Sequence, residues 1–355
     1  MEASVHRRTF LATGAAGLLT AQVARAGGGV DESGYVSIGG IDQWVGLRGP
    51  GGDAPALLFL HGGPADAQSA FRELFAPWER WFTVVQWDQR GAGLTFARNG
   101  EATPDLTLDR LVRGGLEGAR HASARLGGGK PILVRPSWGG VPAALEAEGE
   151  SRAIVVGHSW GAILAAHMLR ADASAFSAYV GTGQVVSWAK CVAGQYAFTV
   201  AAAEAAGNSA LGGQLRASGA PAPADFAQIQ GLRRAMSAYE PASDQAYYAN
   251  QRRVLGDPAR AADPAVQAYA AGGQFSLPRL IPTLMAADLE ALGPWPDIPF
   301  HLIQGRDDHI TPTDAAEAYL GTLRPPARSQ TRIDGGHFAA FMNAEGFAKA
   351  LAAAL

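Results

Sequence analysis

The sequence predicts an α/β fold with a mainly parallel sheet, helices on both faces of the sheet and an inserted helical cap. The first observation behind this prediction is that short apolar runs alternate with helical segments along most of the chain, the pattern of strands joined by crossover helices. The second is that the alternation stops between about residues 183 and 287, where helical segments rich in Ala, Gln and Tyr follow one another. A chain of 355 residues, 48% of them hydrophobic, can bury a core of this size.

The individual elements are predicted from local patterns. Residues 35–38 and 43–47 flank Gly39 and Gly40 and predict an antiparallel hairpin. An uninterrupted apolar run at 56–60 predicts a strand buried on both faces. Short segments rich in apolar residues predict further strands at 82–87, 154–156, 178–180 and 300–303, with a weaker last strand at 329–333. Helices are predicted at 106–126, 162–170, 313–320 and 338–355.

The first 26 residues predict an export signal that is not part of the fold. Adjacent arginines at 7–8 are followed by Phe-Leu at 10–11, a short and mildly apolar stretch, and Ala-Arg-Ala at 24–26. This arrangement resembles a twin-arginine signal with a small-residue cleavage site; an ordinary secretory signal or a disordered N-terminus is the alternative. We therefore divide the chain into a signal peptide at 1–26, a core at 27–182 and 288–355, and a cap at 183–287. The expected destination is the periplasm or the outside of a bacterium.

Charge and cysteine content exclude several classes of partner. The net charge of −3 argues against nucleic acid, and nothing indicates binding to a membrane once the signal is removed. Cys191 is the only cysteine, so no intrachain disulfide and no thiolate metal site can form. Asp307, Asp308 and His309 lack a second cluster with ligand spacing, so we expect no metal, and no dinucleotide pattern predicts an organic cofactor. The oligomeric state is left open.

The most informative motif is Gly-His-Ser-Trp-Gly at 157–161, which lies between an apolar strand and an apolar helix. A serine at such a sharp turn needs small residues two positions before and after it, and Gly157 and Gly161 meet that need. The turn would expose the Ser159 hydroxyl at the carboxyl end of a strand and at a helix N-terminus, where negative charge is favoured. The pattern predicts that Ser159 is a nucleophile; an idle serine in a glycine-rich turn is the alternative.

Three further clusters supply the remaining chemistry. His-Gly-Gly-Pro at 61–64 follows a strand, and its small residues let the backbone N–H of Gly63 approach a developing oxyanion together with the N–H of Trp160. Asp308 follows the strand at 300–303 and can orient an imidazole. His337 follows the last strand in a loop. The chain order Ser159, Asp308, His337 predicts a nucleophile, an orienting acid and a general base.

Other residues compete for these roles. Asp307 is the alternative to Asp308, which we prefer, and His337 could be a structural loop histidine. We interpret His61 as a brace for the oxyanion loop, and the remaining candidates as packing or hydrogen-bonded residues. These are His158, His301 and His309.

Taken together, these motifs resemble the α/β-hydrolase family that includes the proline iminopeptidases. The motifs that carry the resemblance are residues 61–64, 87–93 (Trp-Asp-Gln-Arg-Gly-Ala-Gly), 157–161, 305–308 and 336–337. It covers most of residues 35–182 and 290–355. The resemblance implies an α/β-hydrolase fold, a serine hydrolase and an exopeptidase among its relatives, and it implies that residues 88–91 form a loop that supports the site. We assign that loop a structural role.

The chain departs from the family pattern at two places. Ala65 stands where the family's oxyanion stretch usually has a final glycine. The cap also lacks the tryptophan- and glutamate-rich elements with which proline iminopeptidases hold the free amine of a substrate. Glu204, Glu240 and Trp188 are the cap residues of those types, and we interpret each as a solvated or core side chain in preference to an amine anchor.

Residues 132–145 resemble residues 154–167 at an offset of 22, with seven of 14 positions identical. We interpret the segment as a local tandem duplication that forms a surface excursion over 128–151. Its serine, Ser137, should not be a nucleophile, because Arg135 replaces the required glycine and Pro136 removes a backbone donor.

The sequence therefore predicts a serine hydrolase that acts through an acyl-enzyme on a small molecule or short peptide, with an aminopeptidase-like activity on small amides. A carboxylesterase with the same three residues is the alternative, because the cap selects the leaving group. A binding protein on a hydrolase scaffold is disfavoured, since binding alone has no use for all three residues.

Overall fold

The sheet that the sequence predicts runs through the centre of the computed structural model, which describes residues 29–126 and 152–355. Within these residues the sheet has eight strands. They are β1 (Val30–Ile38), β2 (Ile41–Gly49), β3 (Ala56–Leu60), β4 (Thr83–Trp87), β5 (Ala153–His158), β6 (Phe176–Thr182), β7 (Phe300–Gly305) and β8 (Arg328–Ile333).

The strand order places the motifs at one edge of the sheet. The order is β1-β2-β4-β3-β5-β6-β7-β8, with antiparallel pairs only at β1–β2 and β2–β4 among the described strands. Because parallel strands end at the same edge, the segments after β3, β4, β5, β7 and β8 are brought to one side of the molecule.

Helices cover both faces of the sheet. Those of the core are α1 (Gly93–Asn99), α2 (Leu108–Arg125), α3 (Trp160–Asp172), α9 (Thr313–Thr322), α10 (Ala339–Met342) and α11 (Ala344–Ala354). Side chains alternate between the faces along each strand. In β3, Leu58 and Leu60 belong to the apolar cluster that also contains residues of α2, α3 and α9, whereas Leu57 and Phe59 belong to the cluster that contains residues of α10 and α11.

The segment between β6 and β7 is helical. Its helices are α4 (Trp188–Ala205), α5 (Ser209–Ser218), α6 (Phe226–Met236), α7 (Ala242–Leu255) and α8 (Pro264–Met285). Proline begins α8, where a missing N–H costs nothing. In the described part of the chain, no helix is long and apolar enough to cross a bilayer.

The predicted fold class, a mainly parallel sheet with helices on both faces and an inserted helical cap, is confirmed. Two local details differ from the prediction. The single helix expected at 338–355 is interrupted at Asn343, whose side chain accepts a hydrogen bond from the N–H of Gly346 and so starts α11. Helix α1 was not predicted, because its seven residues carry no clear apolar period.

Two of the predicted segments, the signal peptide at 1–26 and the duplicated segment at 128–151 with Ser137, lie outside the described residues. The division into core and cap at 183 and 287 stays a prediction.

Candidate active site

Ser159 lies at the turn between β5 and α3 in a strained backbone conformation. Its φ and ψ are 56° and −118°, a region that side chains other than glycine rarely adopt. A Cβ on Gly157 would lie 2.7 Å from the Gly161 carbonyl oxygen, and a Cβ on Gly161 would overlap the Leu60 carbonyl oxygen. Both glycines of the motif are therefore required, because a side chain at either position would collide with neighbouring backbone. The Ser159 side chain is half-buried.

Asp308 and His337 meet at the same edge of the sheet. Asp308 follows β7 and His337 follows β8, and the Oδ2 atom of Asp308 lies 3.0 Å from the Nδ1 atom of His337. The Thr311 hydroxyl donates to Asp308 Oδ2 at 2.8 Å and lies 3.2 Å from His337 Nδ1. Because Asp308 and Thr311 both lie at the Nδ1 atom of His337, the Nε2 atom of the imidazole remains available to other partners.

The Asp308 carboxylate is held in its charged form. Burial by itself would raise its pKa, but the His337 imidazole and the hydrogen bonds from Thr311 outweigh burial and bring the pKa below its usual value. The N–H groups of Ile310 and Thr311 donate to Oδ1, and the Gln304 amide donates to Oδ2. The adjacent Asp307 is exposed, so the structure places Asp308, and not Asp307, against the histidine.

Gly183, which follows β6, lies between Ser159 and the Asp308–His337 pair. The Ser159 N–H lies 3.1 Å from the carbonyl oxygen of Gly183. A Cβ on Gly183 would lie 2.9 Å from His337 Cε1, so the residue must be glycine for the ring to approach. Within the described part of the chain no hydrogen bond joins the Ser159 hydroxyl to the His337 ring, a contact that often tightens only when substrate binds.

The segment predicted to bind an oxyanion lies beside Ser159. A Cβ on Gly62 would lie 3.1 Å from the Ser159 Cβ, and the next residue, Gly63, has a φ of 110°. Trp160 is the first residue of α3, where backbone N–H groups have no acceptor within the helix. The two N–H groups that the sequence predicts as oxyanion donors thus come from the segments on either side of the serine.

His61 braces this segment. Its Nε2 accepts a hydrogen bond from the Gln89 N–H at 3.2 Å, so Nδ1 carries the proton and donates to the Gly62 carbonyl oxygen at 3.0 Å. The Gln89 side chain bridges the His61 carbonyl and the Trp160 indole N–H. Burial lowers the pKa of His61 to about 4, which keeps the ring neutral in this role.

His158 is a second buried histidine with a supporting role. Its Nε2 lies 3.0 Å from the His337 carbonyl oxygen. Burial, followed by repulsion from His337, lowers the pKa of His158 to about 3. The other two histidines that the sequence analysis singled out are also engaged, since His301 bonds Ser329 and the ring of His309 stacks on that of Phe198 with centroids 3.7 Å apart.

The loop after β4 supports the fold. Asp88 Oδ2 accepts hydrogen bonds from the Ser69 hydroxyl at 2.6 Å and the Leu94 N–H at 2.8 Å. The Arg90 guanidinium donates to the carbonyl oxygens of Gly39 and Pro104. These contacts agree with the structural role assigned to residues 88–91.

The two cap glutamates differ. Glu204 is exposed and pairs with Arg216, as expected for a solvated residue. Glu240 is only 4% exposed, and both of its carboxylate oxygens lack a hydrogen-bond partner among the described residues. The Arg233 guanidinium lies 3.8 Å from Oε1. Burial raises the pKa of Glu240, and the charge of Arg233 opposes this rise; the charges of Asp244, His337 and Asp308 contribute less.

Two carboxylates at the site were not predicted from the sequence. Asp66 accepts hydrogen bonds from the hydroxyls of Tyr247 at 3.3 Å and Tyr269 at 2.5 Å, both on cap helices. Asp244, on α7, accepts the N–H groups of the histidine segment. Asp66 lies two residues after the oxyanion motif, which could have drawn attention to it. No local signal connects Asp244 to a histidine 93 residues away.

The charged and sulfur-bearing side chains of the described residues form no group of three or more that could hold a metal ion. Cys191 is buried, and burial raises the pKa of its thiol to about 12. The arrangement as a whole combines a strained serine, an acid–histidine pair and converging backbone N–H groups.

Comparisons with known proteins identify the family and the fold. Residues 55–344 match the family model described as the alpha/beta hydrolase fold. A curated protein, the probable aminopeptidase YbaC of Bacillus subtilis (strain 168), is 29% identical over 153 residues, which cover 43% of this chain and 41% of that protein. The match thus spans about two fifths of the length of that relative.

Two solved structures illustrate the likeness of fold. A proline iminopeptidase-related protein of Thermus thermophilus is 22% identical with a TM-score of 0.55, over 91% of this chain and 98% of that one. The esterase RhEst1 of Rhodococcus sp. ECU1013 is 15% identical with a TM-score of 0.51, over 91% of this chain and 97% of that one. Together with the family match, they confirm the resemblance that the motifs predicted.

Proposed function

The chain belongs to the α/β-hydrolase family, and from this premise we propose that it is a serine hydrolase that acts on small amide or peptide substrates through an acyl-enzyme. The observation that carries the proposal is the buried Asp308–His337 hydrogen bond of 3.0 Å beside the strained turn at Ser159. A protein that only binds ligands has no use for this combination.

In the proposed reaction, Ser159 Oγ attacks the substrate carbonyl carbon while His337 Nε2 takes the hydroxyl proton. Asp308 accepts the hydrogen bond from Nδ1, fixes the tautomer and stabilises the imidazolium that forms. The N–H groups of Gly63 and Trp160 donate to the oxyanion of the tetrahedral intermediate. When the C–N bond breaks, His337 returns the proton to the leaving amine.

A water molecule then completes the cycle. His337 takes a proton from the water, whose oxygen attacks the acyl carbon and forms a second tetrahedral intermediate. Its collapse breaks the bond to Ser159, which regains a proton from His337, and releases the carboxylic acid. Neither half of the cycle, carried out by the residues named, needs a metal or an organic cofactor.

We further propose that the substrate carries a free amine, as in an aminopeptidase, and that Glu240 receives it. A carboxylate that is only 4% exposed, makes no hydrogen bond among the described residues and lies 3.8 Å from the Arg233 guanidinium is costly to bury unless a second cation completes it. The curated relative named a probable aminopeptidase supports the same substrate class. The likeness to the two solved structures does not discriminate here, since it concerns the fold.

The test is to treat the protein with a fluorophosphonate, map the adduct by mass spectrometry, and assay a panel of aryl esters and amino-acid aryl amides that includes the prolyl amide. We expect labelling at Ser159, and Ser159→Ala should lower kcat by about 10³-fold or more. The matched control is Ser137→Ala, which should retain activity.

Three other outcomes of this experiment would contradict the proposal, and each would favour a different alternative. Hydrolysis of esters alone would make the protein a carboxylesterase. Labelling at Ser137 would move the nucleophile to the duplicated segment. A folded protein that neither labels nor hydrolyses any member of the panel would be a binding protein on this scaffold.

We also propose that the protein is exported through its twin-arginine-like segment. The support is the pair of arginines at 7–8 ahead of an apolar stretch and a small-residue cleavage pattern. If fractionation finds the double variant Arg7→Lys, Arg8→Lys exported as well as the parent chain, another route or another location applies.

A further inference from the structure

Three consecutive backbone N–H groups of the histidine loop, residues 334–338, are held by the cap. The Gly336 N–H donates to the Ser243 hydroxyl at 3.0 Å. The next two N–H groups donate to one carboxylate, His337 to Asp244 Oδ2 at 2.8 Å and Phe338 to Asp244 Oδ1 at 3.1 Å. Hydrogen bonds from N–H groups to an ionised carboxylate are among the stronger ones in proteins. The backbone of His337 is thus held by the first turn of α7.

The packing of the histidine loop leaves it little freedom to move. A Cβ on Gly305, at the end of β7, would overlap the Gly336 carbonyl oxygen. On the opposite side, a Cβ on Gly336 would overlap Asp244 Oδ2 and lie 2.5 Å from the Pro241 ring. The loop therefore passes between β7 and α7 with no room for a side chain at position 336. The close approach of the cap is one reason why this residue must be glycine.

The same helix also reaches the oxyanion segment. One turn after Asp244, the Tyr247 ring stacks on Phe338 with centroids 3.9 Å apart and planes within 5°. Its hydroxyl donates to Asp66 Oδ2 at 3.3 Å, three residues beyond Gly63. Helix α7 therefore contacts the loop that would carry the general base and the segment that would carry one oxyanion donor, Gly63.

Asp244 is placed to act on the reaction through His337. It is 1% exposed, so water does not compete for its two hydrogen bonds. Its charge and that of the His337 ring are near enough to interact. A small displacement of a general base from its partner is expensive, because proton transfer needs heavy atoms within about 3 Å of each other.

We propose that Asp244 is a positioning residue for His337, so that the cap contributes to the rate of the chemical step as well as to the choice of substrate. The proposal rests on the serine hydrolase function proposed above. In this proposal one carboxylate of the cap fixes the position of the proposed general base, which lies in a loop and not on a strand of the core.

Two variants with a matched control test this assignment. Asp244→Asn keeps the size of the side chain and one accepting oxygen, and Asp244→Ala removes both acceptors. The control is Asp225→Asn, because the Asp225 carboxylate precedes α6 and accepts the Gln228 N–H in the first turn of that helix at 3.0 Å. For each protein, the amount of Ser159 that a fluorophosphonate finally labels counts the folded sites. The rate of labelling and kcat for an aryl ester are then expressed per labelled site.

We expect kcat per labelled site and the labelling rate to fall about 10-fold in Asp244→Asn and about 100-fold in Asp244→Ala. KM should change by less than about threefold, since Asp244 is not proposed to touch substrate. Asp225→Asn should match the parent protein in all three quantities.

A purely structural role would give a different result. It would reduce the number of labelled sites or the unfolding temperature while leaving kcat per labelled site unchanged, and that outcome overturns the assignment, as does an increase in KM alone. If Asp244→Ala does not fold, the isosteric Asp244→Asn decides. Absence of labelling in the parent protein would instead overturn the proposed function.

Discussion

At the scale of single residues, burial separates carboxylates that are alike in the sequence. Glu204 pairs with Arg216 at the surface, whereas Glu240 is buried without a hydrogen-bond partner among the described residues. In the same way Asp307 is exposed and Asp308 contacts His337. Neighbouring or similar acids acquire different chemistry here because the fold removes water from one of them.

The first prediction concerns Glu240→Gln. It should raise KM for an amino-acid aryl amide, with a loss of about 10-fold or more in kcat/KM, because a charge-assisted contact to the ammonium is replaced by a neutral one. The same change should spare an N-blocked ester of similar size, which has no cation to pair. Steady-state kinetics on both substrates provide the measurement.

Glu204→Gln is the matched control for that experiment and should leave both substrates unaffected. If Glu240→Gln affects the amide and the blocked ester equally, Glu240 has no role as an amine anchor. The variant should also be at least as stable as the parent protein, because it removes an incompletely paired buried charge.

At the scale of elements, the elbow between β5 and α3 is the most constrained junction of the site. Gly157 and Gly161 lie so close to neighbouring backbone that neither can carry a side chain. Ser159 is held at a φ of 56° by this packing and by bonds from its N–H to the carbonyls that end β6. The strain is sustained by the elements on both sides, as is common where a reactive group must be exposed.

The second prediction is that Gly161→Ala destabilises the elbow. The new Cβ would overlap the Leu60 carbonyl oxygen, so β3 and α3 must separate. We expect the free energy of unfolding to fall by about 2 kcal/mol or more, and labelling at Ser159 to slow. Chemical denaturation and fluorophosphonate kinetics measure the two effects.

Gly213→Ala controls for the general effect of replacing a helical glycine. Gly213 lies within α5 with nothing near its missing Cβ, so the substitution should stabilise by roughly 0.5–1 kcal/mol. Equal stability changes in the two variants would mean that the elbow is less tightly packed than its contacts indicate.

At the scale of the whole molecule, folding keeps two histidines neutral in the interior. His61 and His158 have pKa values lowered to about 4 and about 3, chiefly by burial, whereas an unfolded histidine titrates near pH 6.5. As the pH falls below that value the unfolded chain binds protons that the folded protein does not, so stability is lost. Asp88 acts in the opposite sense, since burial raises its pKa to about 6 and the folded protein gains a proton there.

The third prediction follows from this balance. Between roughly pH 6.5 and 4.5, His61, His158 and Asp88 together should lower the free energy of unfolding by about 3 kcal/mol, because the two histidines outweigh the aspartate. Guanidinium denaturation at several pH values measures it. His158→Gln should flatten the pH dependence, and the half-buried His309 provides the control, since His309→Gln should flatten it less. A pH dependence that is identical in both variants would contradict the assignment to His158.

Local pattern was sufficient to predict most of the core. The central strands β3 to β7 are short runs rich in apolar residues, a pattern that depends only on neighbours in sequence, whereas β8 has one apolar residue in six and gave a weaker signal. The placement of Ser159, Asp308 and His337 at one edge follows from the same information, because each comes directly after a strand and parallel strands end together. The short helix α1 and the interruption at Asn343 were not predicted, because few residues and one side-chain hydrogen bond decide them.

What the sequence by itself determined is therefore the α/β architecture, the helical cap and the candidate residues after each strand. What only the tertiary structure decided is how the cap meets these residues. The contact of Asp244 with the N–H of His337 spans 93 residues, and that of Tyr247 with Asp66 spans 181. No periodicity records such pairs, since they depend on how two separately patterned layers pack. Burial of Glu240 was decided in the same way, because solvent exposure is a property of the assembled fold and not of a residue type.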